Sequence, residues 1–213
     1  MTDANINAKL YAAPDTSRDH ERAVVDRAQA GDGLAIRELI DLHKERLFAF
    51  ISKMVRDHHE AEDICQDAFL KAFASLNTFS SEYRFSTWLF TIGYRVCLNR
   101  LRRKKIFAGD VDLAVMPSGE SSQPVQTAES HEAHRVRSNV WSAVDHLTPP
   151  QRATILLFYR NELGCHEIAR VLQLPVATVK SHLHRARTKL RELIEGATEK
   201  EWQVLRNFSS RAG

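Results

Sequence analysis

The chain has 213 residues, 43% of them hydrophobic and 27% charged, which suits one ordinary soluble domain or two small ones. No uncharged apolar run approaches the ~18–20 residues that cross a bilayer, and Met1 to Thr16 lacks the basic-then-apolar order of a secretory signal. A net charge of +3 is a weak hint of a polyanionic partner, but the average hides a strong segregation of charge along the sequence.

Residues 1–18 are polar, broken at Pro14-Asp15, and read as a disordered N-terminus. From Glu21 to Lys105 the pattern is helical, interrupted once by Gly31-Asp32-Gly33. The first apolar series is Ile36, Leu39, Ile40, His43, Leu47, Phe50, Ile51 and Met54, spaced by threes and fours as one buried helix face requires. After a polar break at Asp57–Glu60 the pattern repeats with Ala61, Ile64, Cys65, Ala68, Phe69, Ala72, Phe73 and Leu76. The opposite face of that second helix carries Glu62, Asp63, Gln66, Asp67 and Lys71. Such an acidic face suits solvent or a basic protein surface, and is a poor match for DNA.

A turn-rich stretch from Asn77 to Ser86 leads into a helix from Thr87 to about Lys105, with Trp88, Leu89, Ile92 and Val96 as expected core contacts. Its end is basic: Arg100, Arg102, Arg103, Lys104 and Lys105. The turn holds Phe79, Tyr83, Arg84 and Phe85 beside that helix. Aromatic side chains next to a basic helix can hold unpaired bases by stacking, worth roughly 1–3 kcal/mol each. Trp88 is expected in the core and Tyr83 with Arg84 outside it, while Phe79 and Phe85 fit either place.

Composition then changes. From Ile106 to His134 there is no Lys or Arg, five acids stand at Asp110, Asp112, Glu120, Glu129 and Glu132, and Pro117, Gly119 and Pro124 break regular structure. Residues 107–131 therefore read as a flexible acidic linker. The second module, 132–196, contains a helix start at Thr148-Pro149-Pro150-Gln151. Two helices follow, Cys165 to Leu172 and Val176 to Glu195, joined by Gln173-Leu174-Pro175. That joint makes a helix-turn-helix, whose second helix enters the major groove, the groove that distinguishes all four base pairs. Val179, Leu183, Ala186, Leu190 and Leu193 form its expected buried stripe, and no acid occurs between Glu167 and Glu192. That depletion favours DNA over a merely solvated face. Thr178 to Arg185 should meet base edges, and Arg187, Lys189 and Arg191 phosphates. The fold class is all-α: two small helical domains, 19–106 and 132–196, joined by the linker, with a tail at 197–213.

Smaller signals point elsewhere. His131 and His134 are three apart rather than four, so no zinc site is expected. Cys65, Cys97 and Cys165 lie on apolar helical faces without CxxC spacing and read as structural thiols in a reducing cytoplasm. Trp202, Leu205 and Phe208 give the tail an apolar series that would pack on the second module or bind a regulator. No cofactor, catalytic group or membrane contact is expected. A self-sufficient duplex-binding transcription factor would explain the second module, but not exposed aromatics beside a basic helix in the first.

The segments "AQAGDGLAIRELIDLH", "AEDICQDAFLKAFASL", "STWLFTIGYRVCLNRLRR" and "LTPPQRATILLFYRNELGCHEIARVLQLPVATVKSHLHRARTKLRE" resemble, in this order, the extracytoplasmic-function sigma factors, which keep sigma regions 2 and 4. The resemblance covers about Val24 to Ile194 and implies a non-enzymatic specificity subunit of RNA polymerase. By that likeness Asp63, Gln66 and Asp67 would dock on the polymerase clamp helices. The loop with Phe79, Ser80, Ser81, Tyr83 and Arg84 would capture a flipped minus-ten base, and Arg95, Asn99, Arg102 and Arg103 would hold nearby DNA and help melt it. Thr178, Lys180, Ser181, His184, Arg185 and Arg187 would bind the minus-thirty-five element. The implied partners are core RNA polymerase, promoter DNA as duplex and melted strand, and, where a member is restrained, an anti-sigma factor. Three residues depart from the family pattern: Arg95 stands where many members have Asn, His182 replaces a common Arg, and Gly164 stands where a Ser or Thr often caps the helix.

Overall fold

A computed structural model describes residues 15–107 and 140–193. The linker and tail expectations, and the His131–His134 pair, lie outside those residues. Among them every regular element is helical: α1 (Asp15–Gln29), α2 (Gly33–Val55), α3 (His58–Ala74), a 3-10 turn (Leu76–Thr78), α4 (Phe85–Phe107), α5 over 140–145, α6 (Pro149–Ile155), α7 (Cys165–Leu172) and α8 (Val176–Leu193). Helix α1 begins at Asp15, so the expectation of disorder up to residue 18 is too long by four residues.

Local chemistry fixes where the helices begin and end. Gly31 takes a positive φ of 91° to turn the chain out of α1. Asp32 then caps α2, its Oδ1 accepting from the Leu34 N–H at 2.8 Å and the Ala35 N–H at 3.4 Å. Arg56 ends α2 in the left-handed region, and Asp57 caps α3 by accepting from the Glu60 N–H at 2.8 Å. The joint of the two helices is thus Arg56–Asp57, and the rest of the polar break read at 57–60 is the first turn of α3.

Helices α1 to α4 pack as one bundle, each of α2, α3 and α4 touching the other two. The apolar series meets inside it: Leu39, Leu47, Phe50, Ile51, Ile64 and Ala68 are fully buried, as are Leu89, Phe90 and Cys97 of α4. Gly93 permits the close crossing, because a Cβ there would lie 2.9 Å from Leu47 Cδ1. The core face of α4 is broader than expected: Phe90, Tyr94 and Cys97 are buried, whereas Trp88, Ile92 and Val96 are half-buried.

In the second module α8 packs across α6 and α7. The start of α6 has the expected back-bond, the Thr148 N–H donating to Gln151 Oε1 at 3.2 Å, and the helix widens into π geometry over Leu156–Arg160. Val179, Leu183, Ala186 and Leu190 are buried, but Leu193 is 44% exposed, so the stripe stops one turn early. The supporting helices explain this: α6 has seven residues and its π continuation five, and α7 has eight, against eighteen for α8.

The two modules are packed together, α7 on α4 and α6 on α2. Arg152, 6% exposed, is central to the seam. It donates to the carbonyls of Val144, Asp145 and Leu147 in its own module and of Met54 across the seam. Burial, reinforced by the neighbouring Arg56 and opposed by Asp145, lowers its pKa to about 10.

Candidate nucleic-acid interface

The first surface begins at the loop between α3 and α4. Phe85 is core at 1% exposure, which decides between the two places open to it. Phe79 and Trp88 are half-buried against it, with ring centroids 5.7 and 5.6 Å from Phe85 and 5.3 Å from each other. Tyr83 is 39% exposed, as expected, but Arg84 is half-buried and not on the outside. Ser80 and Ser81 are exposed at the loop tip. Between this loop and α1 lies a cavity of about 190 Å³, lined by Phe79, Ser81, Tyr83 and Arg84 and also by Arg18 and Arg22. Sequence reasoning missed those last two, since nothing in the chain order brings residues 18–22 to residues 79–85.

Along α4 the exposed residues Arg95, Asn99, Arg102 and Arg103 follow a spacing of four, three and one. They share one helix face over ~12 Å. Among the described residues Arg102 and Arg103 have no carboxylate partner, while Lys104 is paired with Glu60 at the start of α3. Arg102 and Arg103 also lie near the C-terminal end of the helix, where its dipole favours positive charge.

The second surface is the outer flank of α8. Lys180, His184 and Arg185 are exposed, and Thr178 and Ser181 half-buried. None of the three exposed side chains is engaged by an acid among the described residues. Arg187 differs: its Nε donates to Tyr159 Oη at 2.8 Å and its guanidinium lies 5.2 Å from the Phe158 ring centre. It ties α8 to the π stretch. The N-terminal side of α7 is closed by Glu167, whose Oε2 accepts from the Gly164 N–H at 2.9 Å, replacing the missing Ser or Thr cap from the other side.

A third surface, on α3, leaves Glu62, Asp63, Gln66, Asp67 and Lys71 exposed while Ala61, Ile64, Cys65 and Ala68 are buried. Burial raises the thiols of Cys65 and Cys97 to about 12, so both are protonated packing groups. Cys165 is only half-buried, less enclosed than expected. No group of three or more His, Cys, Asp or Glu suited to a metal occurs among the described residues.

Comparison with known proteins fits this geometry. Residues 39–106 match the Sigma-70 region 2 family and residues 137–190 the Sigma-70, region 4 family. The ECF RNA polymerase sigma factor SigW of Bacillus subtilis is 30% identical over 174 residues, covering 79% of this chain and 93% of its own. The RNA polymerase sigma-H factor of Pseudomonas aeruginosa is 28% identical, covering 84% and 96%. Among solved structures, the sigma factor RpoE of Bartonella quintana, in complex with the anti-sigma factor NepR, superposes with a TM-score of 0.65 at 25% identity over 76% of this chain and 98% of that one. The chain belongs to the extracytoplasmic-function sigma factors of the sigma-70 family. Its activity is promoter recognition and transcription initiation with core RNA polymerase, without catalysis of its own.

Proposed function

We propose that the three surfaces divide the work of initiation among them. Asp63, Gln66 and Asp67 on α3 dock on the polymerase. The α3–α4 loop with Phe79, Ser80, Ser81, Tyr83 and Arg84, and the stripe Arg95, Asn99, Arg102 and Arg103, hold the melted minus-ten strand. The outer flank of α8, through Thr178, Lys180, Ser181, His184 and Arg185, reads the minus-thirty-five duplex. Arg187 is better suited to fixing α8 against Tyr159 than to holding a phosphate.

The observation that carries the proposal is that positive charge free of carboxylates lies on two separate helical faces, one on the helix that leads away from an open aromatic cavity and one on a helix-turn-helix. A cavity of about 190 Å³ is smaller than the ~300–1,000 Å³ of most small-molecule sites, and suits a single flipped base. Arg18, Arg22 and Arg84 outnumber the carboxylates of Asp19 and Glu21 in its lining, which leaves a net positive wall for the adjoining phosphate.

The working environment follows from the partners. No helix among the described residues is long and apolar enough to cross a membrane. Polymerase and promoter place the chain in the cytoplasm, and an anti-sigma factor is a partner by analogy with the Bartonella protein.

Lys180→Ala and Arg185→Ala test the assignment of α8. Each should weaken use of promoters that depend on the minus-thirty-five element while binding to core polymerase is unchanged. An equal loss of core affinity would show that α8 faces the polymerase instead.

A further inference from the structure

Helix α1 lies wholly before residue 39, where the match to Sigma-70 region 2 begins, yet it is fastened to the α3–α4 loop at both of that loop's ends. At the start of the loop, Gln29 Nε2 donates to the Leu76 carbonyl at 2.9 Å and to the Phe79 carbonyl at 3.4 Å. These carbonyls belong to the first residue of the 3-10 turn and to the residue that follows it. At the end of the loop, Glu21 Oε1 lies 3.0 Å from His43 Nε2, and the His43 ring centroid is 5.3 Å from that of Phe85. Glu21, Val25 and Gln29 follow one another by fours and share one face of α1 over ~12 Å. The helix has a firm footing. Val24 and Val25 are buried in the bundle, and Arg27 lies 2.9 Å from Asp32 and 3.4 Å from Glu38 of α2.

We propose that α1 is a brace for the minus-ten loop, with Gln29 and the Glu21–His43 pair as positioning residues for capture of the flipped base. This role rests on the minus-ten reading of the loop. Three observations carry it.

First, the loop does little to hold its own shape. The Tyr83 N–H donates to the Ser80 carbonyl at 3.4 Å and the Glu82 N–H to Ser80 Oγ at 3.5 Å, both at the far end of the hydrogen-bond range. A loop with such weak internal bonds takes its shape from where its ends are fixed.

Second, packing alone does not call for a histidine at 43. The residue holds an apolar position of α2 at 5% exposure, and among the described residues its Nδ1 has no partner. Burying an imidazole there costs free energy that a phenyl ring would not, and Glu21 is the group placed to offset it. The pair links α1 to the ring of Phe85, on which the loop's aromatic cluster is built.

Third, the brace shapes the site without occupying it. Gln29 uses main-chain carbonyls and engages none of the side chains assigned to the base. Glu21 stands in the cavity wall, while His43 acts from behind it through the buried Phe85. A pocket shaped before the strand arrives avoids the ordering cost at binding.

The test uses the full-length chain with core polymerase and a labelled single-stranded oligonucleotide from the minus-ten segment of a promoter that this holoenzyme transcribes. A series of the same strand, each with one abasic site, locates the captured base. For the unsubstituted chain, one abasic position should weaken binding about fivefold or more, the loss expected of one stacked base. His43→Phe keeps a ring against Phe85 and gives up the Glu21 contact, and Gln29→Ala gives up both carbonyl contacts. Each variant should weaken binding of the intact strand about threefold or more. Binding of the strand abasic at the located position, and affinity for core polymerase, should stay unchanged. Gln29 is half-buried and outside the core, so its variant carries the test should His43→Phe not fold. Equal weakening of intact and abasic strands would show a general change of charge or fold and would overturn the brace. Unchanged binding of the intact strand would overturn it too. If no abasic position matters to the unsubstituted chain, base capture by the loop is itself wrong, and the brace falls with it.

Discussion

The two surfaces proposed for DNA carry similar charge in different layouts. On α4 the exposed cations climb one face toward the helix end and share the module with a half-buried aromatic cluster at the other end. On α8 they are strung along the flank opposite a buried stripe, with no aromatic among the exposed residues. A flexible strand offers base faces for stacking and phosphates at irregular positions, which suits the first layout. A rigid groove offers base edges at fixed spacing along a straight path, which suits the second. On the proposed assignment, local context rather than net charge separates single-strand from duplex recognition.

The comparison can be broken most forcefully at the supports of each surface. Arg152→Ala strips several buried carbonyls of their donor and should destabilise the second module by about 3 kcal/mol or more, seen as a lower urea midpoint. In the first module Gly93→Val should cost about 1–3 kcal/mol, because the added side chain would push Leu47 from its place between α2 and α4. If either change disturbs only the other module's DNA contact, the two layouts are not independent.

Recognition itself sharpens the contrast. Arg185→Ala should lose about 1–3 kcal/mol of discrimination at the minus-thirty-five element, measured by competition between matched and mismatched duplexes. Arg102→Ala should weaken minus-ten binding with little regard to sequence and reduce the salt dependence by about one counterion. Sequence-selective loss at Arg102 would reverse the assignment.

The smallest effect expected is at a cap. The Glu60 N–H holds the Asp57 carboxyl below its ordinary value of 3.8, with burial opposing and Lys104 nearby assisting. A carboxyl lowered in the folded state contributes stability that is complete above its ordinary value and fades as pH falls through the lowered one. Asp57→Asn should keep the cap and remove that acid-side dependence, readable in thermal melts between about pH 5 and 2.

Much of this was legible in the sequence, for identifiable reasons. Leu39, Leu47 and Phe50, and then Ala61, Ile64 and Ala68, announce their helices because burial on one face imposes a period near 3.6. The helix-turn-helix could be placed to within a residue or two because Pro175 and the basic run after it are local signals. The seam was not legible. Nothing in the sequence around Arg46 and Arg160 signals their burial, and their carbonyl partners Asn161 and Ala49 lie more than a hundred residues away. The Arg187–Tyr159 bond was not legible either, Tyr159 having no local signature. Leu193 kept the apolar period but outran the short helices that cover it.

The division of labour is tested most directly with a promoter whose minus-ten region is already unpaired. On duplex template, an Arg102→Glu, Arg103→Glu chain and a Lys180→Ala, Arg185→Ala chain should both initiate poorly with core polymerase. On the pre-melted template the second should recover part of its initiation, because the open strand is captured directly, and the first should not. Equal recovery of both, or recovery of the first alone, would contradict the assignment of α4 to the open strand and α8 to the closed duplex.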